Sequence, residues 1–114
     1  MKNSQLYKGS LTTIIMKLLE EKGRMYGYEI TQKVKLITGG ELNITEGALY
    51  PALHRLEADG HLDVEVEKVD NRLRKYYKLT ESGKAETVNR LTELEGFINN
   101  MQTLVGGTQL KPEY

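Results

Sequence analysis

At His61 the spacing of apolar residues changes, and that change decides what the chain can fold into. Before it, leucines and isoleucines recur every three or four positions; after it, Leu62, Val64 and Val66 alternate with Asp63 and Glu65. A period near 3.6 buries one stripe of a helix, whereas a period of two buries one face of a strand. Helices therefore come first and a small sheet follows. Leu11, Ile14, Ile15, Leu18 and Leu19 form one stripe between Gly9 and Lys22, with Gly23 as a stop. Ile30, Val34 and Ile37 form a second after Gly27, broken by Gly39-Gly40. A third helix is expected from an N-cap at Thr45 to Asp59, with Leu49, Ala52, Leu53 and Leu56 inward and Gly60 at its end. Pro51 falls inside it, where a proline removes a hydrogen bond and costs roughly 3 kcal/mol. The helix is expected either to begin only at Tyr50 or to be distorted in its first turn.

The alternating segment turns at Asp70-Asn71 and returns from Arg74 to Leu79, a β-hairpin with a basic tip. Thr80 then caps a long last helix, with Glu81 placed favourably in its first turn. Within it Leu91, Leu94, Ile98, Met101 and Val105 are spaced 3, 4, 3 and 4, and Val88 extends the row. Such an a/d seam can lie on its own domain. Here the upstream helices and hairpin already supply a core, so a second copy of the chain is the better partner. Asn99 and Asn100 lie beside the seam. The expected fold class is mostly α (α+β): a winged helix-turn-helix with a long C-terminal dimerisation helix. Its parts are residues 1–80 as the DNA-binding domain, 81–105 as the dimerisation helix and 106–114 as a flexible tail.

Composition narrows the functions. The 114 residues suit one domain and include no cysteine, which excludes a disulfide framework and a thiolate zinc site. His54 and His61 are the only histidines, and no nucleophile–base pair or phosphate loop accompanies them, so no catalytic residue, cofactor or enzyme activity is expected. His54, Glu57, Asp59, His61 and Asp63 lie near one another in sequence, but Gly60 separates the histidines and no recognised ligand spacing appears; no metal site is expected. The N-terminus lacks the apolar stretch of a signal peptide and no run is long enough to span a bilayer. A cytoplasmic protein without membrane partners is expected. Net charge is zero but segregated: residues 72–84 carry Arg72, Arg74, Lys75, Lys78 and Lys84 against Glu81 alone. A local basic patch suits a polyanion despite the neutral average.

Three runs resemble a known family. Met25-Tyr26-Gly27-Tyr28-Glu29-Ile30, Glu46-Gly47-Ala48-Leu49-Tyr50-Pro51-Ala52-Leu53-His54-Arg55-Leu56-Glu57, and Arg74-Lys75-Tyr76-Tyr77-Lys78-Leu79-Thr80 with Gly83 are similar to motifs of the PadR-like transcriptional regulators, in the same order. Ala48 stands where threonine is usual. The single C-terminal helix is similar to the short subfamily. The resemblance implies a homodimeric winged-helix repressor of a palindromic operator in double-stranded DNA, with Pro51 in or at the start of the recognition helix. For some members it also implies release by small molecules, in one branch aromatic drugs held between tryptophans of the paired C-terminal helices. This chain has no tryptophan, and Phe97 is the nearest substitute, with hydrophobic filler at the interface as its competing role.

The residues named for DNA are of two kinds. Thr45, Glu46 and Gly47 open the third helix, at the end that approaches bases and phosphates in this motif class. Taking Leu49 as inward, helical geometry turns Gly47, Pro51, His54 and Ala58 outward, with Tyr50 and Arg55 flanking. Arg72, Arg74 and Lys75 supply wing charge for phosphate or minor-groove contact, and Tyr26 is expected nearer the DNA than Tyr28. A winged-helix module for protein interaction, without sequence-specific DNA binding, is the alternative.

Overall fold

The computed structural model describes residues 4–106. Their elements in chain order are α1 (Ser4–Lys8), α2 (Leu11–Lys22), β1 (Arg24–Tyr26), α3 (Gly27–Ile37), α4 (Glu46–Ala58), β2 (Leu62–Val69), β3 (Arg72–Leu79) and α5 (Glu81–Val105). The three expected helices, the hairpin and the long last helix are α2, α3, α4, β2–β3 and α5. The tail expected to fray lies, beyond Gly106, outside the described residues.

The core is built around α2. Ile15, Met16, Leu18 and Leu19 are buried, and the polar Thr13 is buried beside them. Leu49, Ala52, Leu53 and Leu56 of α4 close over α2 from one side; Met25, Leu62, Tyr77 and Leu79 of the sheet close from another. Truncating a fully buried leucine such as Leu53 removes both its transfer energy and its packing, about 2–5 kcal/mol.

Two elements were not foreseen, α1 and β1. The three residues of β1 add to the hairpin as a third antiparallel strand, in the order β1-β3-β2. Arg24 faces Lys78, Met25 faces Tyr77 and Tyr26 faces Tyr76. The hairpin turns on Asp70 and Asn71, with φ of 50° and 63°. Two left-handed residues match the twist of the flanking strands, and Asp and Asn tolerate that region. Leu62 pairs with Leu79 and Val64 with Tyr77 over the core. Val66, expected inward, is exposed because the hairpin runs past the helices.

Two local expectations change. Ile37, at the end of α3, is exposed rather than buried. The chain turns there: the Thr38 hydroxyl donates to the Val34 carbonyl (2.9 Å) and accepts from the Leu42 N–H (3.0 Å). Gly39 and Gly40 take left-handed φ of 61° and 87°, and Leu42 enters the core in place of Ile37. α4 starts at Glu46 rather than Tyr50, and Pro51 sits in its second turn. The proline leaves the Gly47 carbonyl without its helical donor, but both residues are on the exposed face, where solvent serves that oxygen.

α5 is clamped at its start and unsupported further on. The Thr80 Oγ1 accepts from the Gly83 N–H (2.9 Å) and donates to the Gly60 carbonyl (2.7 Å), while the Thr80 N–H donates to the His61 carbonyl (3.0 Å). Gly83 is buried against that same carbonyl. Farther along, Arg90 donates to the Thr12 hydroxyl (2.7 Å) and pairs with Glu86 (2.9 Å). From Glu95 to Val105 every residue is exposed. The radius of gyration, 16.4 Å, exceeds the about 13 Å of a compact 100-residue domain because this helix projects from the core.

Candidate nucleic-acid interface

α4 presents one core face and one open face. Thr45 is its N-cap, its hydroxyl accepting from the Ala48 N–H at 3.2 Å. Thr45, Glu46, Gly47, Ala48, Pro51, His54, Arg55 and Ala58 are all exposed. A Cβ on Gly47 would meet only the Thr45 hydroxyl, at 3.9 Å, so the fold itself does not require glycine there. Small residues on an open face let a helix backbone approach a flat or grooved partner closely, and His54 and Arg55 supply donors beside them. Tyr50 is different. It is half-buried, and a Cβ on buried Gly27 would lie 2.8 Å from its Cζ and 3.2 Å from its Cε1, with the hydroxyl closer still. Its ring therefore lies against the start of α3 and couples the two helices of the helix-turn-helix. That start is secured by Glu29, which accepts from the Tyr26 N–H (3.2 Å) and pairs with Lys22 (3.2 Å).

The wing residues divide between the two faces of the hairpin. Arg72 and Arg74 share a face with Glu65 and Glu67, while Lys75 lies on the opposite face in line with Tyr77 and Leu79. On the first face the Arg74 guanidinium covers the Tyr26 ring, and the Arg24 guanidinium covers the Tyr76 ring, each 4.0 Å from the centroid. The two tyrosines meet edge to face at 5.5 Å. Tyr26 thus serves both as the α3 N-cap and as a platform for Arg74; Tyr28, by contrast, is exposed. Arg24 pairs with Glu65 and Glu67, both at 2.8 Å, and Lys78 takes the other oxygen of Glu65 at 2.6 Å. Lys78 first and Arg24 second hold the Glu65 carboxyl below its usual range.

The predicted seam of α5 is open. Val88, Ile98, Met101 and Val105 are exposed, Leu91 and Leu94 half-buried. Phe97 and Leu104 are exposed along the same side and widen it. Among the described residues, no group of three His, Asp or Glu is placed to hold a metal ion, and no helix is long and apolar enough to cross a membrane.

The model of the PadR-like family of transcriptional regulators matches residues 15–89, from the core of α2 through the wing into α5. The chain belongs to the PadR-like family. A transcriptional regulator from Clostridium thermocellum superposes with a TM-score of 0.82 at 31% identity, over 89% of this chain and 98% of that one. The PadR of Bacillus subtilis, solved in complex with operator DNA, superposes with a TM-score of 0.64 at 32% identity, over 71% of this chain and 46% of that one. The transcriptional regulator Rv3488 of Mycobacterium tuberculosis is 46% identical over 52 residues, 46% of this chain and 49% of that protein.

The fold is the winged helix that the PadR-like solved structures share. Within that frame, reading by period passed over three residues that shape the site. Arg24 acts on the wing from 41 residues away, through a strand too short to show alternation. Gly27 matters through the Tyr50 ring, which its place in the motif marks but does not explain. Leu104 widens the α5 face at a position outside the a/d row, where a count of seven-residue flanks would have found it.

Proposed function

We propose that this PadR-like regulator is a homodimeric repressor that binds a palindromic operator in double-stranded DNA. The open, small-residue face of α4 carries the reading: it lies beside the wing, and a groove can approach it without disturbing the core. In this reading Thr45, Glu46, Gly47, His54 and Arg55 lie at the major groove, and Arg72, Arg74 and Lys75 reach phosphates from the two faces of the wing. Tyr50 and Tyr26 act from behind, setting α4 against α3 and seating Arg74. The relative solved with operator DNA supports the assignment. The row Val88, Leu91, Leu94, Ile98, Met101 and Val105, exposed but for half-buried Leu91 and Leu94, pairs with that of a second copy, which spaces two α4 helices for successive major grooves. Phe97, beside that row, is the residue placed to meet a small aromatic effector, whose binding would shift the spacing and release DNA.

The test is binding of the purified chain to the DNA upstream of its own gene, with mixed-sequence duplex as the reference. A protein that retards the upstream fragment at salt concentrations where the reference no longer binds reads sequence. Equal binding to both, or none, returns the winged helix to the role of a protein-interaction module.

A further inference from the structure

Glu67 sits directly opposite Arg74 across the β-hairpin, on the same face of the sheet. Opposite charges in such positions ordinarily pair. Here they do not. The Glu67 carboxylate lies 2.8 Å from Arg24 of β1, the strand on the far side of β3. Arg24 reaches it over the Tyr76 ring and holds Glu65 with the same nitrogen. Arg74 leans the other way, onto the Tyr26 ring, with the Tyr76 hydroxyl at 3.5 Å. Among the described residues no carboxylate lies within ion-pair distance of Arg74.

We infer that Arg24 is a positioning residue for DNA binding: by taking Glu67 into its own ion pair, it leaves Arg74 uncommitted for a phosphate. The inference rests on the proposed role of the wing. Two carboxylates on the wing face would otherwise repel a phosphate backbone and mask its arginine. Arg24 offsets both at once, and Lys78 supplies the second cation for Glu65. Because the guanidinium is planar and carries several donors, it serves two carboxylates while stacked flat on an aromatic ring. When Arg24 is absent, the cation directly opposite Glu67 is its cross-strand neighbour Arg74, and DNA must then break that pair to be bound.

The experiment measures affinity for mixed-sequence duplex DNA against salt concentration, because phosphate contacts do not depend on sequence. Arg74→Gln tests the wing itself and is expected to lower the log–log salt slope by about 0.9. Arg24→Gln is expected to weaken binding about two- to fivefold, the strength of an exposed ion pair, and to move the slope the same way. Adding Glu67→Gln to Arg24→Gln is expected to restore wild-type affinity. Adding Glu65→Gln instead restores the same net charge two residues away and is expected to restore much less. Arg24→Met, which keeps the stem over Tyr76, carries the comparison if the glutamine variant does not fold. An Arg24→Gln chain that binds like wild type overturns the inference, as does rescue by Glu65→Gln equal to that by Glu67→Gln, or rescue by neither. If Arg74→Gln leaves both slope and affinity unchanged, the wing reading fails and this inference falls with it.

Discussion

Replacing Gly83 with alanine places one methyl group where the chain has no room for it. The new Cβ would lie 3.0 Å from the His61 carbonyl carbon and 3.2 Å from Leu79 Cδ2, and inside contact of the His61 carbonyl oxygen. That oxygen cannot turn aside freely, since it accepts from the Thr80 N–H at 3.0 Å. Relief requires α5 to withdraw by roughly an ångström, the gap between overlap and ordinary contact. Withdrawal strains the Thr80 bonds to Gly60 and His61, each worth about 0.5–1.5 kcal/mol. Overpacking of this kind costs about 1–3 kcal/mol, against a gain of up to about 1 kcal/mol from helix propensity. With both Thr80 bonds lost as well, the net expectation is a destabilisation of about 1–6 kcal/mol. At about 4–8 °C per kcal/mol for a domain of this size, thermal melting by circular dichroism resolves it easily. Gly96 is the control. It lies in the same helix with nothing within 4 Å of its would-be Cβ, so Gly96→Ala should raise stability by up to about 1 kcal/mol. If Gly83→Ala melts at or above the wild-type temperature, the junction is looser than argued and the start of α5 is not held by the α4–β2 turn.

Gly27→Ala drives the Tyr50 ring off the start of α3 and should cost about 1–3 kcal/mol in a urea titration. In a Tyr50→Ala background that cost should shrink markedly, and an equal cost in both backgrounds would separate the glycine from the tyrosine. Gly47→Ala meets open space, so its melting temperature should hold or rise while operator affinity falls; unchanged affinity would remove Gly47 from the DNA face. Glu65 has its carboxyl pKa lowered by Lys78 and Arg24 from an ordinary value of 4.5. A depressed folded-state pKa adds stability that is present above 4.5 and lost as pH falls through the folded value. Glu65→Gln should therefore flatten the fall in melting temperature on acidification below 4.5 and leave its slope above that range unchanged.

The helices of the core were legible because their apolar residues obey a period over ten positions or more, and α2, α4 and α5 lie where that period puts them. Short elements escaped for the same reason. Arg24-Met25-Tyr26 is three residues long, and its strand character comes from pairing with Tyr76, Tyr77 and Lys78. Ile37 fits the helical period of α3, yet the Thr38–Leu42 turn substitutes Leu42 in the core, a choice made by tertiary packing. Pro51 points to a later or distorted helix start because propensity counts the lost hydrogen bond; the exposed carbonyl of Gly47 makes that loss tolerable. The outward face of α4 followed from taking Leu49 as inward. The division of the wing charges between two faces required the register, and the diversion of Glu67 to Arg24 required side-chain geometry that no local pattern encodes.

The proposed operator binding depends on two copies joining through the open face of α5, and Ile98→Glu puts a charge in the middle of that face. Burying it would require desolvating the carboxylate or abandoning the contact. Light scattering of the wild-type and variant chains, each with operator fragment added in a second run, tests this directly. The wild-type mass is expected at twice the 13.0 kDa of the chain, and the Ile98→Glu variant at 13.0 kDa with most of its operator affinity lost, since a monomer forfeits bivalent binding. An Ile98→Glu chain that keeps the doubled mass and binds operator normally would contradict the proposal.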